Sequence, residues 1–370
     1  MTASILSIGT AVPSTRLAQD RVRDLFATQP GVDRLAERLI RAAFDASAIE
    51  NRFTVLTALA EDGAVDDDRM PVLGPDGILQ RPSTGARNDA YIRHAPALFA
   101  AAARDALERA DVDPSEVTHI VTVSCTGMFA PGPDYRLVRD LGLNPSSERY
   151  HLGFIGCAAA MPALRAALRI CTADPGATVL VACAELCTLH FRPSPDPQQI
   201  VAGSVFADGA AAAVVSAHSS GRLPRLDLER FGTTLTSEGE NDMVWTIGDE
   251  GFEMILSAEV PRIIGREIRC AIADFLGSEQ DIAEWAVHPG GRSVLDRIES
   301  GLDLAPDALE RSRTVLREYG NMSSATILFI LASILADDEV ADGARVAALA
   351  FGPGLTVESA LLTRRAAVVR

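Results

Sequence analysis

Short apolar runs alternate with amphipathic segments along most of the chain, and each change of period marks a boundary. Residues 5–12 form an apolar run that stops at Pro13, which predicts a first strand. Apolar positions at helical spacing over 21–48 predict a helix. Residues 51–90 turn polar and rich in Gly and Pro after Ala60, and read as a loop excursion. An alanine-rich helix is predicted over 97–110, a turn at 111–116 and a strand over 119–124. After a loop at 125–134, a short helix runs to Leu141. Residues 178–183 read as a β-branched strand, 192–199 as a proline-studded loop and 210–216 as another strand.

The second half repeats that order. It has a helix over 260–276, a strand over 285–287, helices over 293–301 and 321–336, and paired strands over 345–351 and 355–362. Alternating strands and helices predict an α/β fold with a mainly parallel sheet covered on both faces. The repetition suggests an internal duplication, with halves at 1–218 and 219–370. No linker rich enough to separate independent domains lies between them.

Residues 150–169, YHLGFIGCAAAMPALRAALR, are the focus of the first half. An apolar approach ends at Gly156, and a helix-forming run starts beyond Cys157. A helix N-terminus carries free N–H groups and partial positive charge, which favour a thiolate and predict a lowered thiol pKa. Taken alone, Cys157 fits either a nucleophile or a small buried residue filling the strand–helix junction.

Composition narrows the choice. The chain has 370 residues, few aromatics and a formal charge of −16, which disfavours nucleic acid and anionic membrane as partners. It contains no lysine, so Schiff-base chemistry and a P-loop are excluded. The six cysteines lie outside any framework spacing and read as reduced thiols of a cytoplasmic protein. Residues 1–14 lack the basic n-region of a signal peptide, and the longest apolar stretch, 325–336, is too short for a membrane span.

Two later stretches supply partners for Cys157. His288, in WAVHPGGRSVLDRIE, closes an apolar strand where α/β folds place their sites, although a loop histidine satisfied by backbone fits the same pattern. Asn321, in EYGNMSSATILFIL, precedes a very apolar helix, and an N-cap there is compatible with an active-site donor. Cys, His and Asn suffice for acyl transfer without a metal or organic cofactor: a thiolate attacks a thioester, and N–H groups stabilise the oxyanion or enolate. Cys183, Cys187 and His190, in CAELCTLH, do not make a zinc site. On one strand the two cysteines would stand about 13 Å apart, too far for one tetrahedral ion. A serine-hydrolase elbow is missing.

Four motifs, GFIGCAAAMPALRAA, HPGGRSVLDRIE, EYGNMSSATILFIL and FGPGLTVESALL, occur in an order and spacing that resemble the type III polyketide synthases, the chalcone-synthase-like branch of the thiolase fold. SCTG, ELCTLH and WTIGDEGFEMILS resemble the bacterial alkylresorcinol and alkylpyrone synthases within that group. The resemblance implies duplicated βαβαβ layers (αβαβα) in two pseudo-symmetric halves, and a homodimer. It implies Cys157, His288 and Asn321 as the catalytic triad, acting on a starter from acyl-CoA or acyl carrier protein that malonyl-CoA extends. Cys157 would carry the growing chain. His288 would hold its thiolate as an ion pair, then share the malonyl enolate with Asn321.

The resemblance also implies a cavity. Phe206 matches one gatekeeper phenylalanine and Met254 stands at the other, while Trp245 replaces a glycine of the plant enzymes and narrows the space. Cys125 replaces a threonine near Glu185 and Ser323, in a hydrogen-bond network where a thiol is the weaker partner. Thr126, beside Cys125, and Cys187 and His190, in segment 184–191, would line the route of a starter tail. Three positions that bind CoA phosphates in plant members fall here on Leu39, Ala42 and Ala46, none of them basic. Two rivals stand beside this reading: a ketoacyl-synthase-III-like enzyme that condenses once, and a catalytically silent partner subunit. A product carrying one added ketide favours the first, and a Cys157 no more reactive than the other cysteines favours the second.

Overall fold

A computed structural model describes residues 3–60, 70–219, 221–277 and 281–368. In the first half the elements are β1 (Ser4–Ala11), β2 (Thr15–Ala18), α1 (Gln19–Ala27), α2 (Arg34–Ala46), β3 (Asn51–Thr54), α3 (Thr84–Ala110), β4 (His119–Ser124), α4 (Pro133–Leu141), β5 (Glu148–Gly153), α5 (Ala160–Ala173), β6 (Thr178–Leu186), α6 (Pro197–Val205) and β7 (Asp208–Ser216). The second half holds β8 (Arg225–Leu235), β9 (Met243–Gly248), β10 (Gly251–Leu256), α7 (Val260–Leu276), β11 (Ile282–Val287), α8 (Arg292–Gly301), α9 (Glu310–Tyr319), α10 (Thr326–Leu335), β12 (Arg345–Gly352) and β13 (Thr356–Arg365).

Nine strands form one sheet in the order β11-β12-β13-β8-β1-β7-β6-β4-β5. From the centre outward, each half runs through its first strand, its last, its last but one, and then an earlier one. That shared order is the duplication. The halves meet where β1 pairs antiparallel with β8.

The sheet is mixed, not mainly parallel. Only β4–β5, β4–β6 and β11–β12 pair in parallel. The turn Pro353–Leu355 between β12 and β13 is too short for a crossover, so these strands must run antiparallel.

Alternate residues of the strands face two cores. Val179, Val181, Ala211 and Ala213 pack with α5 and α10, whereas Leu180, Ala182, Ala210 and Ala212 face the layer containing α3. Helix α10, TILFILASIL, is apolar nearly all round and is correspondingly enclosed. One face of the sheet packs on α5 and α10 and the other is covered by helices such as α3, giving the layered α/β architecture that the family resemblance implies.

Several boundaries differ from the sequence reading. The helix expected over 21–48 is two helices, broken at Pro30-Gly31. Helix α3 starts at Thr84, capped by Ser83, and absorbs Pro96 instead of starting beyond it. Part of the loop read between 51 and 90, residues 61–69, lies outside the described residues. Helix α6 occupies the end of the segment read as a loop at 192–199, with Pro197 in its first turn and Asp196 as its cap. Among the described residues no helix is long and apolar enough to cross a membrane.

Candidate active site

Backbone geometry places the cysteine. After β5 the chain turns through Phe154 and Gly156, at φ of +57° and +72°, and delivers Cys157 in a short 3₁₀ turn that runs into α5. A Cβ on Gly156 would come within 2.4 Å of Pro353 Cδ, so only glycine allows this close approach. The FGPGL motif thus abuts the nucleophile position from the other half of the chain.

A matching device presents Asn321. Gly320, at φ +71°, precedes it, and a 3₁₀ turn, Ser323–Ala325, leads into α10. The Asn321 N–H donates to Val205 O at 2.8 Å, and its carbonyl accepts from Ala207 N–H at 2.9 Å. Its Oδ1 accepts from Ser323 N–H at 2.8 Å and lies 4.0 Å from Cys157 Sγ. Capping and proximity to the thiol therefore occur together, although the residue capped is the 3₁₀ turn and not α10 itself.

His288 leaves β11 with its N–H bonded to Leu349 O at 2.8 Å. The ring is buried, and neither nitrogen has a hydrogen-bond partner among the described residues. Cys157, His288 and Asn321 line one cavity with Phe206, Met254 and Val260. Cys125, Thr126, Cys187, Trp245, Ser323 and Pro353 line a second, also bordered by Cys157. A third passes His190, Phe191, Arg192 and Phe26. Phe206 and Met254 border all three, and each holds only about 20 to 30 Å³.

Desolvation dominates the electrostatics. Burial pushes the Cys157 thiol up to about 11, opposed by hydrogen bonding with Ser323 and Asn321. It pushes His288 down to about 3. The lowering expected from the helix terminus is thus outweighed, because the thiol sits inside the protein instead of at an open helix end.

The network around Glu185 differs in one partner from the sequence reading. Glu185 accepts from Cys125 N–H at 2.9 Å, Thr126 Oγ1 at 2.8 Å and Ser324 Oγ at 2.6 Å. Ser324 fills the place given to Ser323, which at φ +48° turns to the cavity beside Cys157. Cys125 contributes its backbone to Glu185, while its sulfur accepts the Gly156 N–H at 3.1 Å. Burial raises the Glu185 pKa.

Two large rings are held in place. The Trp245 indole N–H donates to Cys125 O at 2.7 Å. His190 donates from Nε2 to Thr126 O at 2.9 Å, accepts the Phe252 N–H on Nδ1 at 3.0 Å, and stacks on Phe252. Burial keeps that imidazole neutral, its pKa pushed down to about 3.

Met243, on β9, and Ser324 join the site without any signal in the sequence. Leu39, Ala42 and Ala46 are exposed on α2, while Arg41 is paired with Asp24 and Glu37. Among the described residues no group of three or more His, Cys, Asp or Glu is arranged to hold a metal.

The N-terminal domain of the chalcone and stilbene synthases matches residues 1–219, and the C-terminal domain matches 228–366. The chain belongs to the chalcone and stilbene synthase family. Its solved relatives are type III polyketide synthases of the thiolase fold. The chain superposes on PKS-I from the brown alga Ectocarpus siliculosus with a TM-score of 0.90 and 28% identity, covering 98% of each chain. The C-terminal type III polyketide synthase domain of Steely1, a type I/III hybrid from Dictyostelium, gives a TM-score of 0.86 and 28% identity over 100% of both chains. A type III pentaketide synthase from Neurospora crassa gives 0.86 and 26%, over 99% of this chain and 100% of that one. The curated relative Probable polyketide synthase 1 of Dictyostelium discoideum is 29% identical over 97% of this chain, which spans only 11% of that protein.

Proposed function

We propose that the protein is a type III polyketide synthase that loads an acyl starter on Cys157 and extends it with malonyl-CoA. The observation that carries this is the convergence of Cys157, His288 and Asn321 on one apolar cavity bordered by Phe206 and Met254. The Cys157 thiol passes its proton to His288 and attacks the starter thioester. The CoA thiolate leaves and takes the proton back from the imidazolium. Malonyl-CoA then loses CO2. His288 and the Asn321 amide donate to the thioester oxygen, which bears the enolate charge. The enolate carbon attacks the Cys157-bound acyl carbonyl and expels the thiolate, leaving a chain two carbons longer on CoA.

The reading extends to a fatty acyl starter and an alkylresorcinol or alkylpyrone product, supported by the apolar walls formed by Phe206, Met243, Cys187 and Met254. The enzyme is a cytoplasmic homodimer in this reading, charged by acyl-CoA or an acyl carrier protein. A small starter is the second reading, favoured by cavities of about 20 to 30 Å³ beside a fixed Trp245. Mass spectrometry of products from malonyl-CoA and a panel of acyl-CoA starters tests both. Alkylated rings from long starters are expected. A product with one added ketide would assign the chain to the single-condensation class instead.

A further inference from the structure

A buried arginine stands behind the cavity wall. Arg52, on β3, is 0% exposed and lines none of the three cavities. Its Nη1 donates to Gly203 O at 2.7 Å and Phe206 O at 2.9 Å, carbonyls at the end of α6 that the helix leaves without partners. The rings of Phe44 and Phe191 each lie 5.4 Å from its Cζ, so the guanidinium is held between two aromatic faces. Among the described residues no carboxylate forms an ion pair with it. Burying such a charge is costly, and this cost is met at a point where two catalytic-wall elements join.

That junction ties Phe206 to Asn321. The Asn321 N–H bonds Val205 O, the Asn321 carbonyl accepts from Ala207 N–H, and Phe206 bridges Asn321 in parallel register. Arg52 supports the other side of the same turn. A Cβ on Gly320, the residue before Asn321, would come within 3.0 Å of Arg52 Cγ. The side chain thus holds the α6 terminus with its head and borders the left-handed turn into Asn321 with its stem.

We propose that Arg52 is a positioning residue for the condensation, fixing the Phe206 ring and the Asn321 amide through the carbonyls of Gly203 and Phe206. This rests on the chemistry proposed above. A displacement of about 1 Å at a donor costs up to about 10²-fold in rate, so loosening this turn weakens decarboxylation without touching the thiol. The test compares wild type, Arg52→Gln, Arg52→Lys and Asn321→Ala in malonyl-CoA decarboxylation. Iodoacetamide labelling of Cys157, read by peptide mass spectrometry, and thermal melting are measured alongside. Arg52→Gln is expected to lose about tenfold or more of decarboxylation kcat, with KM and Cys157 labelling within about twofold of wild type. Arg52→Lys, which keeps charge and donors, is expected to recover part of that loss. Arg52→Gln that folds and decarboxylates at the wild-type rate overturns the role. Parallel loss of decarboxylation, labelling and folded protein in both variants also overturns it, leaving a purely structural residue. A wild type that does not decarboxylate malonyl-CoA overturns the reading of the reaction, and the positioning role falls with it.

Discussion

Cys157 and His288 are each disfavoured as charges by burial, one pushed up to about 11 and the other down to about 3. Neither charges easily alone, and in the reaction proposed above the imidazole accepts the proton that the thiol gives up. Alkylation needs the thiolate and rises with pH through the thiol pKa. Removing His288 takes away the proposed proton acceptor and leaves burial as the dominant effect, so the Cys157 labelling curve is expected to move to higher pH in His288→Ala. Labelling at pH 7 should fall by about tenfold or more. Superimposable curves would show that the two groups act independently. In the proposed reaction Asn321 contributes later, as a donor to the enolate oxygen. Losing such a donor costs about 10²–10³ in rate, so Asn321→Ala is expected to fail in decarboxylation while Cys157 still labels. Near-normal decarboxylation would return Asn321 to capping the Ser323–Ala325 turn.

At the level of elements, both halves use a left-handed glycine to set a functional side chain before a central helix: Gly156 before Cys157, and Gly320 before Asn321. Gly156→Ala places a Cβ against Pro353 in a backbone region that costs about 1 to 3 kcal/mol for other residues. The variant is expected to fold, melt a few degrees lower and label poorly at Cys157. Normal labelling would mean that the turn relaxes without moving the thiol. These devices were legible in sequence because they are local: glycine, functional residue, then an apolar helical run. Helix α7 was legible to its ends for the same reason. Sheet direction was not, because it depends on which strands meet across the chain and on turns such as Pro353–Leu355. Strands β8 to β10 give a weak signal because all three are only partly buried, and β8 also carries polar residues at many positions. Ser324 and Ser323 are adjacent, and only the positive φ of Ser323 decides which reaches Glu185. Arg52 falls in the segment read as a loop, and tertiary packing alone reveals its burial.

Across the whole molecule, the central question is what the narrow cavities admit. Each is small, and all three meet at Phe206 and Met254. These two side chains are the shared border between the spaces at Cys157, at Trp245 and at His190, so a starter that spans them has to displace one or both. Met254 is unbranched and turns aside at little cost. An apolar channel gains roughly 0.8 kcal/mol per methylene buried, about fourfold in kcat/KM, until it is full. Specificity along a series of fatty acyl-CoA starters is therefore expected to rise, peak and fall. Met254→Phe, which stiffens the shared border, is expected to move the peak to shorter chains. Trp245→Gly breaks the bond to Cys125 O and frees space beside Cys157, so under the proposed function it should change the ratio of resorcinol to pyrone with little effect on loading. Steady-state kinetics on the starter series, with product ratios by mass spectrometry, measures all three. Acetyl-CoA or malonyl-CoA alone as the best starter would defeat the long-chain reading. The walls at Trp245 and His190 would then be fixed limits that make this a small-starter enzyme.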